Sequence, residues 1–289
     1  MGKHSAVPGP PGAKKSLGQH FLREISVCPR ISDLLALRPE DRLLEIGPGS
    51  GALTRELEKA PHSLLLLLEK DDHWIAERGR LRAPGTLPVH ADALFFDWRR
   101  ITPKNSWKIA GNLPYNIASR LIWDIVWKAE GLARAVFMVQ HEVGRRITAP
   151  PSGRHYGALS VWVQSFARPR LEFTVGPEAF VPPPKVLSAV ISLEPLPPYG
   201  RPRRPEILAG LLRTCFRQRR KQLGTIFRRA GMPEFVRNLQ GMGIDPVRRP
   251  ETLTPKNFRQ LCETVEQSCF RSQFSVFSLK KSFAFTGSP

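Results

Sequence analysis

Four consecutive residues in the stretch GNLPYN (111–116), Asn112, Leu113, Pro114 and Tyr115, place an amide, a stiff turn and an aromatic ring directly after the apolar run KIA. Such a set suits a flat, polar, unsaturated group. The exocyclic amine of a nucleobase is a poor nucleophile because its lone pair is delocalised into the ring. Two carbonyl oxygens that accept its two N–H bonds favour a more tetrahedral nitrogen and make it reactive. The Asn112 amide oxygen and the Leu113 main-chain carbonyl are the two candidates, and Pro114 stiffens the turn that makes them converge. The Tyr115 ring can stack on the base, worth about 1–3 kcal/mol. No strong base is needed where the methyl donor carries a good leaving group; alignment and electrostatics supply most of the rate. The bland alternative is an Asn in a turn with Tyr as cover for the core.

A second constellation surrounds LLEIGPGSGALTREL (43–57), which reads as strand, glycine-rich loop and helix. Gly47, Gly49 and Gly51 let the backbone turn tightly and approach a ligand. The spacing is GxGxG with Pro48 inside it, which favours a ligand smaller than a pyrophosphate, such as an aminoacyl sulfonium. Glu69 ends the next apolar strand, eighteen residues after Gly51. An acid at this distance can accept from both hydroxyls of a ribose. Asp92 ends LPVHAD and can accept from an adenine amine; taken alone it reads as a helix cap before a ligand. Together the loop, Glu69 and Asp92 end three successive strands. That edge of an open parallel sheet is where ligands bind, and the set points to an adenosine-containing cofactor.

The elements that must hold these residues follow the pattern of apolar runs. RLLEIG (42–47), SLLLLLE (63–69), LPVHAD (87–92), WKIAGN (107–112) and RAVFMVQ (134–140) read as strands, with LTRELEKA and ASRLIWDIVWKAE as helices among them. This alternation predicts an α/β fold, a parallel sheet covered on both faces. FTVGPEAFVPPPKVLSAVISLEP (173–195) reads as a loop into one more strand. After the Pro/Arg linker PLPPYGRPRRP (195–205) the texture changes. Ile207, Leu208, Leu211, Leu212, Cys215 and Phe216 share one helical face, while Arg213, Arg217, Arg220 and Lys221 fall on others. The expected organisation is a Pro/Gly-rich disordered tail (1–13), an α/β domain (14–200), a small basic helical domain (201–268) and a Phe-rich tail (269–289).

The 289 residues carry 44 Lys and Arg against 25 Asp and Glu, a formal charge of +19. An excess this large costs self-repulsion and points to a polyanionic partner, nucleic acid before a membrane surface. Cys28, Cys215, Cys262 and Cys269 form no CxxC pair, so neither a zinc site nor a disulfide framework is expected. The longest pure apolar run, LLLLL at 64–68, falls short of the ~18 residues of a spanning helix. The N-terminus lacks the apolar region of a secretory signal. A cytoplasmic, membrane-free protein is expected.

At this point the residues resemble a known family. KKSLGQHFL (14–22), LLEIGPGSGALT, GNLPYNIAS, HYGALSVWVQ (155–164), EAFVPPPKVLSAVISLEP (178–195), FRQRRKQL and LTPKNFRQLCE resemble, in order and at family-like spacing, the motifs of the small-subunit ribosomal RNA adenine dimethyltransferases. The likeness spans about 14–265. It implies a Rossmann-like class I methyltransferase sheet with a smaller all-helical C-terminal domain. The implied cofactor is S-adenosyl-L-methionine, held by His20, Leu22, Gly47, Gly49, Glu69, Asp92 and Asn112. It implies Asn112 at both the amine and the methyl donor, and Phe180 over the target base on the face away from Tyr115. Without the likeness Phe180 reads as a core residue. No metal role is expected for His20, since no second His lies at ligand spacing.

The implied activity is N6,N6-dimethylation of two adjacent adenines in a hairpin loop near the 3′ end of small-subunit rRNA, by a monomer. The target base would leave its stack to enter the pocket. Arg145, Arg146, Arg217, Arg220 and Lys221 are the expected phosphate contacts. Three rivals stand beside this reading: a large-subunit rRNA adenine dimethyltransferase of the macrolide-resistance type, a DNA adenine methyltransferase, and a ribosome-assembly factor in which RNA binding matters more than methylation.

Overall fold

The computed structural model describes residues 20–24, 26–81 and 83–264. The segment 1–13, residues 14–19 of the KKSLGQHFL motif and the tail 269–289 lie outside the described residues. Packing divides the chain into two units. One comprises the residues up to Ala149 together with Phe166–Gly200; the other comprises Pro150–Ser165 and the residues from Arg201 onward.

The first unit holds, in chain order, β1 (Phe21–Leu22), α1 (Val27–Leu35), β2 (Arg42–Ile46), α2 (Ala52–Leu57), β3 (Leu64–Glu69), α3 (Asp72–Leu81), β4 (Thr86–His90), β5 (Trp107–Asn112), α4 (Ala118–Lys128), β6 (Leu132–Gln140) and α5 (His141–Thr148). The chain then passes through α6 (Ala158–Phe166), which belongs to the second unit but for its last residue, and returns to the first with β7 (Ala167–Val175), β8 (Phe180–Val181) and β9 (Ser188–Pro195). Seven strands form one sheet in the order β4-β3-β2-β5-β6-β9-β7. The first five are parallel, with Leu43 opposite Leu65 on one side and Lys108 on the other. Strands buried on both faces read as near-continuous apolar runs. That is why Leu43, Leu44, Ile46, Leu65, Leu67, Leu68 and Ile109 are all buried. In α4 the residues Leu121, Ile122, Ile125 and Val126 repeat at helical spacing and are buried as one stripe.

The sheet is mixed, not wholly parallel. β9 pairs antiparallel with both β6 and β7. β7 was not expected: Pro169 lies inside it, beside Arg168 and Arg170. A proline cannot donate to a ladder and is tolerated on an edge strand, which is the place β7 takes. A separate two-stranded ribbon pairs β1 with β8, Phe21 opposite Val181 and Leu22 opposite Phe180.

The chain runs outward from β2 through β3 to the edge at β4, then returns to β5 on the other side of β2. Right-handed crossovers therefore place α2 and α3 on one face of the sheet and α4 on the other. The order reverses between β2 and β5, and a crevice opens at such a switch point outside the strand ends. Gly111 lets these two strands close up there. A Cβ on Gly111 would lie 2.7 Å from the Ile46 carbonyl oxygen.

The second unit is helical: α7 (Pro205–Phe216), α8 (Leu223–Arg229), α9 (Pro233–Gly241) and α10 (Pro255–Glu263). α7 packs on α10 and α8 on α9. The apolar face expected of α7 is buried at Ile207, Leu208, Leu211, Leu212 and Cys215, with Phe216 at its margin. Residues Pro150–Ser165 were expected within the α/β domain and instead belong to this unit. Tyr156 is one anchor, and the Ser152 N–H on the Glu251 carbonyl at 2.8 Å is another. The Tyr156 ring is fully buried, and its hydroxyl donates to the Leu253 carbonyl at 2.8 Å.

Candidate active site

The loop after β2 turns on three glycines with positive φ: 66° at Gly47, 47° at Gly49 and 77° at Gly51. A side chain is strained at such angles. At Gly49 there is also no room, because a Cβ would meet the Phe21 ring at 2.8 Å. At Gly47 a Cβ would meet nothing within 4 Å, and the residue lines a cavity of about 320 Å³.

The cavity is lined by His20, Phe21 and Leu22 from β1 and its approach, by Gly47 and Gly49, by Glu69 and Asp92, and by Asn112 through Tyr115. Residues distant in sequence thus meet at the switch point. Glu69 is 6 % exposed. Its Oε1 accepts from the N–H groups of Lys70 (2.8 Å) and Asp71 (2.9 Å), and its Oε2 from Gly49 N–H at 3.1 Å. A carboxylate has about four acceptor positions. Glu69 therefore braces the glycine loop and keeps little capacity beyond that. Asp92 lies on the cavity wall and is braced within the protein. Its Oδ1 accepts from the Leu94 N–H at 2.9 Å, closing a turn rather than capping a helix, and its Oδ2 pairs with Lys70 Nζ at 2.8 Å. Burial alone would raise its pKa; the bonds from Lys70 and Leu94 N–H outweigh that and hold it below the usual aspartate value.

Asn112 ends β5 and donates its Nδ2–H to the His20 carbonyl at 2.8 Å. A carbonyl can only accept, so this bond fixes which end of the amide is which. One of its two N–H donors is taken, and Oδ1 makes no hydrogen bond to protein among the described residues. Leu113 donates its N–H to the Met138 carbonyl at 3.0 Å, and its side chain is buried. The Pro114 carbonyl accepts from Ile117 and Ala118 at 3.1 and 3.0 Å, which makes the turn the first hydrogen-bonded step into α4.

Tyr115 is half-buried. Its hydroxyl lies 2.6 Å from Ser188 Oγ, and burial raises its pKa, which keeps the phenol protonated. The ring against its face is that of His20, with centroids 5.4 Å apart and planes at 29°. His20 Nδ1 in turn lies 2.8 Å from the Pro182 carbonyl. Phe180 is elsewhere. It is 2 % exposed, does not line the cavity, and packs in the core with Cys28, Ile31 and Leu53. Its backbone pairs with Leu22 on the ribbon, and its ring lies in the core, as its residue type alone suggested.

Sequence reasoning missed two residues at the site. Glu45 lies inside β2, is 2 % exposed and lines the cavity, with its Oε2 accepting from Thr54 Oγ1 at 2.7 Å. Burial pushes its carboxyl up to about 8, against the pull of the Thr54 bond and the charge of Arg78. An acid inside an apolar strand is the sign that could have marked it. Ser188 opens β9, and only the fold brings it to Tyr115.

The expected phosphate contacts are all exposed and fall in both units. Arg145 and Arg146 lie on α5, with Arg146 3.9 Å from Glu142; Arg217, Arg220 and Lys221 follow α7. Among the described residues no helix is long and apolar enough to cross a membrane.

The sequence matches the ribosomal RNA adenine dimethylase family over residues 12–267. The chain belongs to that family. It is 49 % identical over 263 residues to a ribosomal RNA small subunit methyltransferase A from Nitratidesulfovibrio vulgaris, an alignment covering 90 % of this chain and 98 % of that protein. In fold it is similar to a dimethyladenosine transferase from Plasmodium falciparum, with a TM-score of 0.71, 22 % identity, and 88 % and 98 % of the two chains covered. The 23S rRNA methyltransferase ErmE follows, with a TM-score of 0.63, 25 % identity, and 84 % and 98 % covered. The chain is thus a methyltransferase of the class I fold, and S-adenosylmethionine is the family's methyl donor. The site fits that group: a glycine cradle open to the cavity at Gly47, two buried carboxyls at Glu69 and Glu45, and Asp92 on the wall.

Proposed function

We infer that this protein dimethylates N6 of two adjacent adenines in a hairpin loop near the 3′ end of small-subunit rRNA. The observation that carries this reading is the Asn112–His20 bond, which leaves an amide oxygen as the acceptor at the cavity where the glycine loop ends. The name carried by the Nitratidesulfovibrio relative supports the small subunit over the large one.

Bound S-adenosylmethionine supplies an electrophilic methyl group on a sulfonium. Gly47, Gly49, Glu69, Asp92, His20 and Leu22 hold the donor. Asn112 Oδ1 and the Leu113 carbonyl accept the two N–H bonds of the target amine and draw its lone pair out of the ring. Tyr115 supplies the stacking surface for an everted base, whose exit from its stack costs a few kcal/mol. Arg145, Arg146, Arg217, Arg220 and Lys221 offset that cost through phosphate contacts. The partner is small-subunit rRNA within an immature subunit, met by a monomer in the cytoplasm.

Mass spectrometry of rRNA from cells with and without this protein tests the reading. Dimethyladenosine near the 3′ end of small-subunit rRNA should vanish with the protein. Its persistence, or its loss from large-subunit rRNA instead, would overturn the assignment.

A further inference from the structure

Ser188 has no place in the chemistry described above, yet it touches the residue that faces the target base. It is 0 % exposed. Its main chain is pinned on both sides, opposite Gln140 of β6 and Val175 of β7. Moving it would break two ladders at once, so its hydroxyl is a fixed point of the sheet. The Tyr115 hydroxyl lies 2.6 Å from that point. The other end of Tyr115 is fixed by the turn at Pro114, whose carbonyl starts α4. A tyrosine has two side-chain torsions. With the backbone set by one element and the phenol oxygen by another, neither torsion is left free.

We propose that Ser188 is a positioning residue for methyl transfer: by holding the Tyr115 hydroxyl it sets the plane of the ring on which the target adenine stacks. This rests on the reading that Tyr115 faces that base. His20 is the second brace, with its ring stacked on Tyr115 and its Nδ1 on the Pro182 carbonyl. Burial keeps the phenol protonated, which lets it serve as an anchor with no part as an acid or base. Alignment matters twice in a dimethylation, because the second transfer must seat an amine that already carries one methyl group. A loosened ring should therefore slow the second step at least as much as the first.

The test uses the full-length chain with the small-subunit rRNA substrate and S-adenosylmethionine. Ser188→Ala and Tyr115→Phe remove the same hydrogen bond from opposite ends, and the second leaves the sheet untouched. Each should lower kcat about tenfold, leave the Kd for S-adenosylmethionine within about twofold of the parent, and raise the ratio of monomethyl- to dimethyladenosine. The double variant should be no slower than the worse single one, because the two act through one bond. Parental kcat and product ratio in both single variants would overturn the proposal. So would a slow Ser188→Ala beside a parental Tyr115→Phe, which would make Ser188 a packing residue of β9. Wild-type protein that moves no methyl group to adenine N6 would sink the underlying reading, and the proposal with it.

Discussion

The side-chain amide of Asn112 donates to the main-chain carbonyl of His20 across 2.8 Å. One bond thus joins the end of β5 to the segment that leads into β1. It sets the amide so that its oxygen is the group left to accept. Asn112→Asp keeps the shape and the acceptor but loses the donor, and at neutral pH sets a carboxylate against a carbonyl. Turnover should fall by about 100-fold, the scale of one misplaced oxyanion-type contact, while RNA affinity holds. Steady-state kinetics with filter binding decide it. Parental turnover would remove the His20 bond from the mechanism.

Glu69 is predicted to act as a brace as much as a ligand. Glu69→Gln turns one acceptor into an N–H donor facing main-chain N–H groups of the loop or of Lys70 and Asp71. The variant should lose about 1–3 kcal/mol of stability along with cofactor affinity, read by urea unfolding and calorimetry. A variant that loses affinity at unchanged stability would assign Glu69 to the ligand alone.

The raised carboxyl of Glu45 makes stability fall with pH. Its folded value, about 8, lies above its ordinary 4.5. Between the two the folded protein holds a proton that the unfolded chain releases, so stability present at low pH is lost as pH rises towards and through 8. From pH 6 to 8.5 the loss should be about 2 kcal/mol. Glu45→Gln should flatten that slope in urea unfolding at the two pH values. Equal slopes in variant and parent would contradict the assignment.

Gly111→Ala should damage the site without touching any ligand. Its Cβ would fall 2.7 Å from the Ile46 carbonyl oxygen. The nearest atom is backbone and cannot swing aside, and the Ile46 Cβ at 3.2 Å and Leu113 Cδ2 at 3.3 Å crowd the same place, so the strands β2 and β5 must part. About 1–3 kcal/mol of stability should go, with activity falling further than the stability loss alone explains. Wild-type melting and activity would show that the close approach is not needed.

RNA affinity should fall steeply with salt, because the chain's +19 charge neutralises phosphates and releases their counterions. Replacing Arg217 or Arg145 by Ala should lower affinity and reduce the slope of log K against log salt by about 1 each. A slope that does not respond would take that residue out of the contact set.

Much of this site was legible because parallel strands are apolar runs that stop at a polar residue. Ile46 before the glycine loop, Glu69 after LLLLL and Asn112 after KIA mark the strand ends, and strand ends at a switch point converge. What stayed hidden depended on pairing. β7 carries Pro169 among charges, and no local pattern announces an edge strand of that kind. Tyr156 and its segment join the helical unit through long-range contacts, the Tyr156 hydroxyl on the Leu253 carbonyl and the Ser152 N–H on the Glu251 carbonyl among them. Phe180 is buried in the core at a two-residue strand whose partner, Leu22, lies 158 residues earlier. Ser188 meets Tyr115 only once β9 has inserted between β6 and β7.

The most direct test is single-turnover methylation by Asn112→Ala at saturating RNA and S-adenosylmethionine, with RNA binding measured in parallel. The methyl-transfer rate should drop by at least about 100-fold while the RNA Kd stays within about twofold of the parent. Equal rates in variant and parent would show that no adenine amine is activated at Asn112.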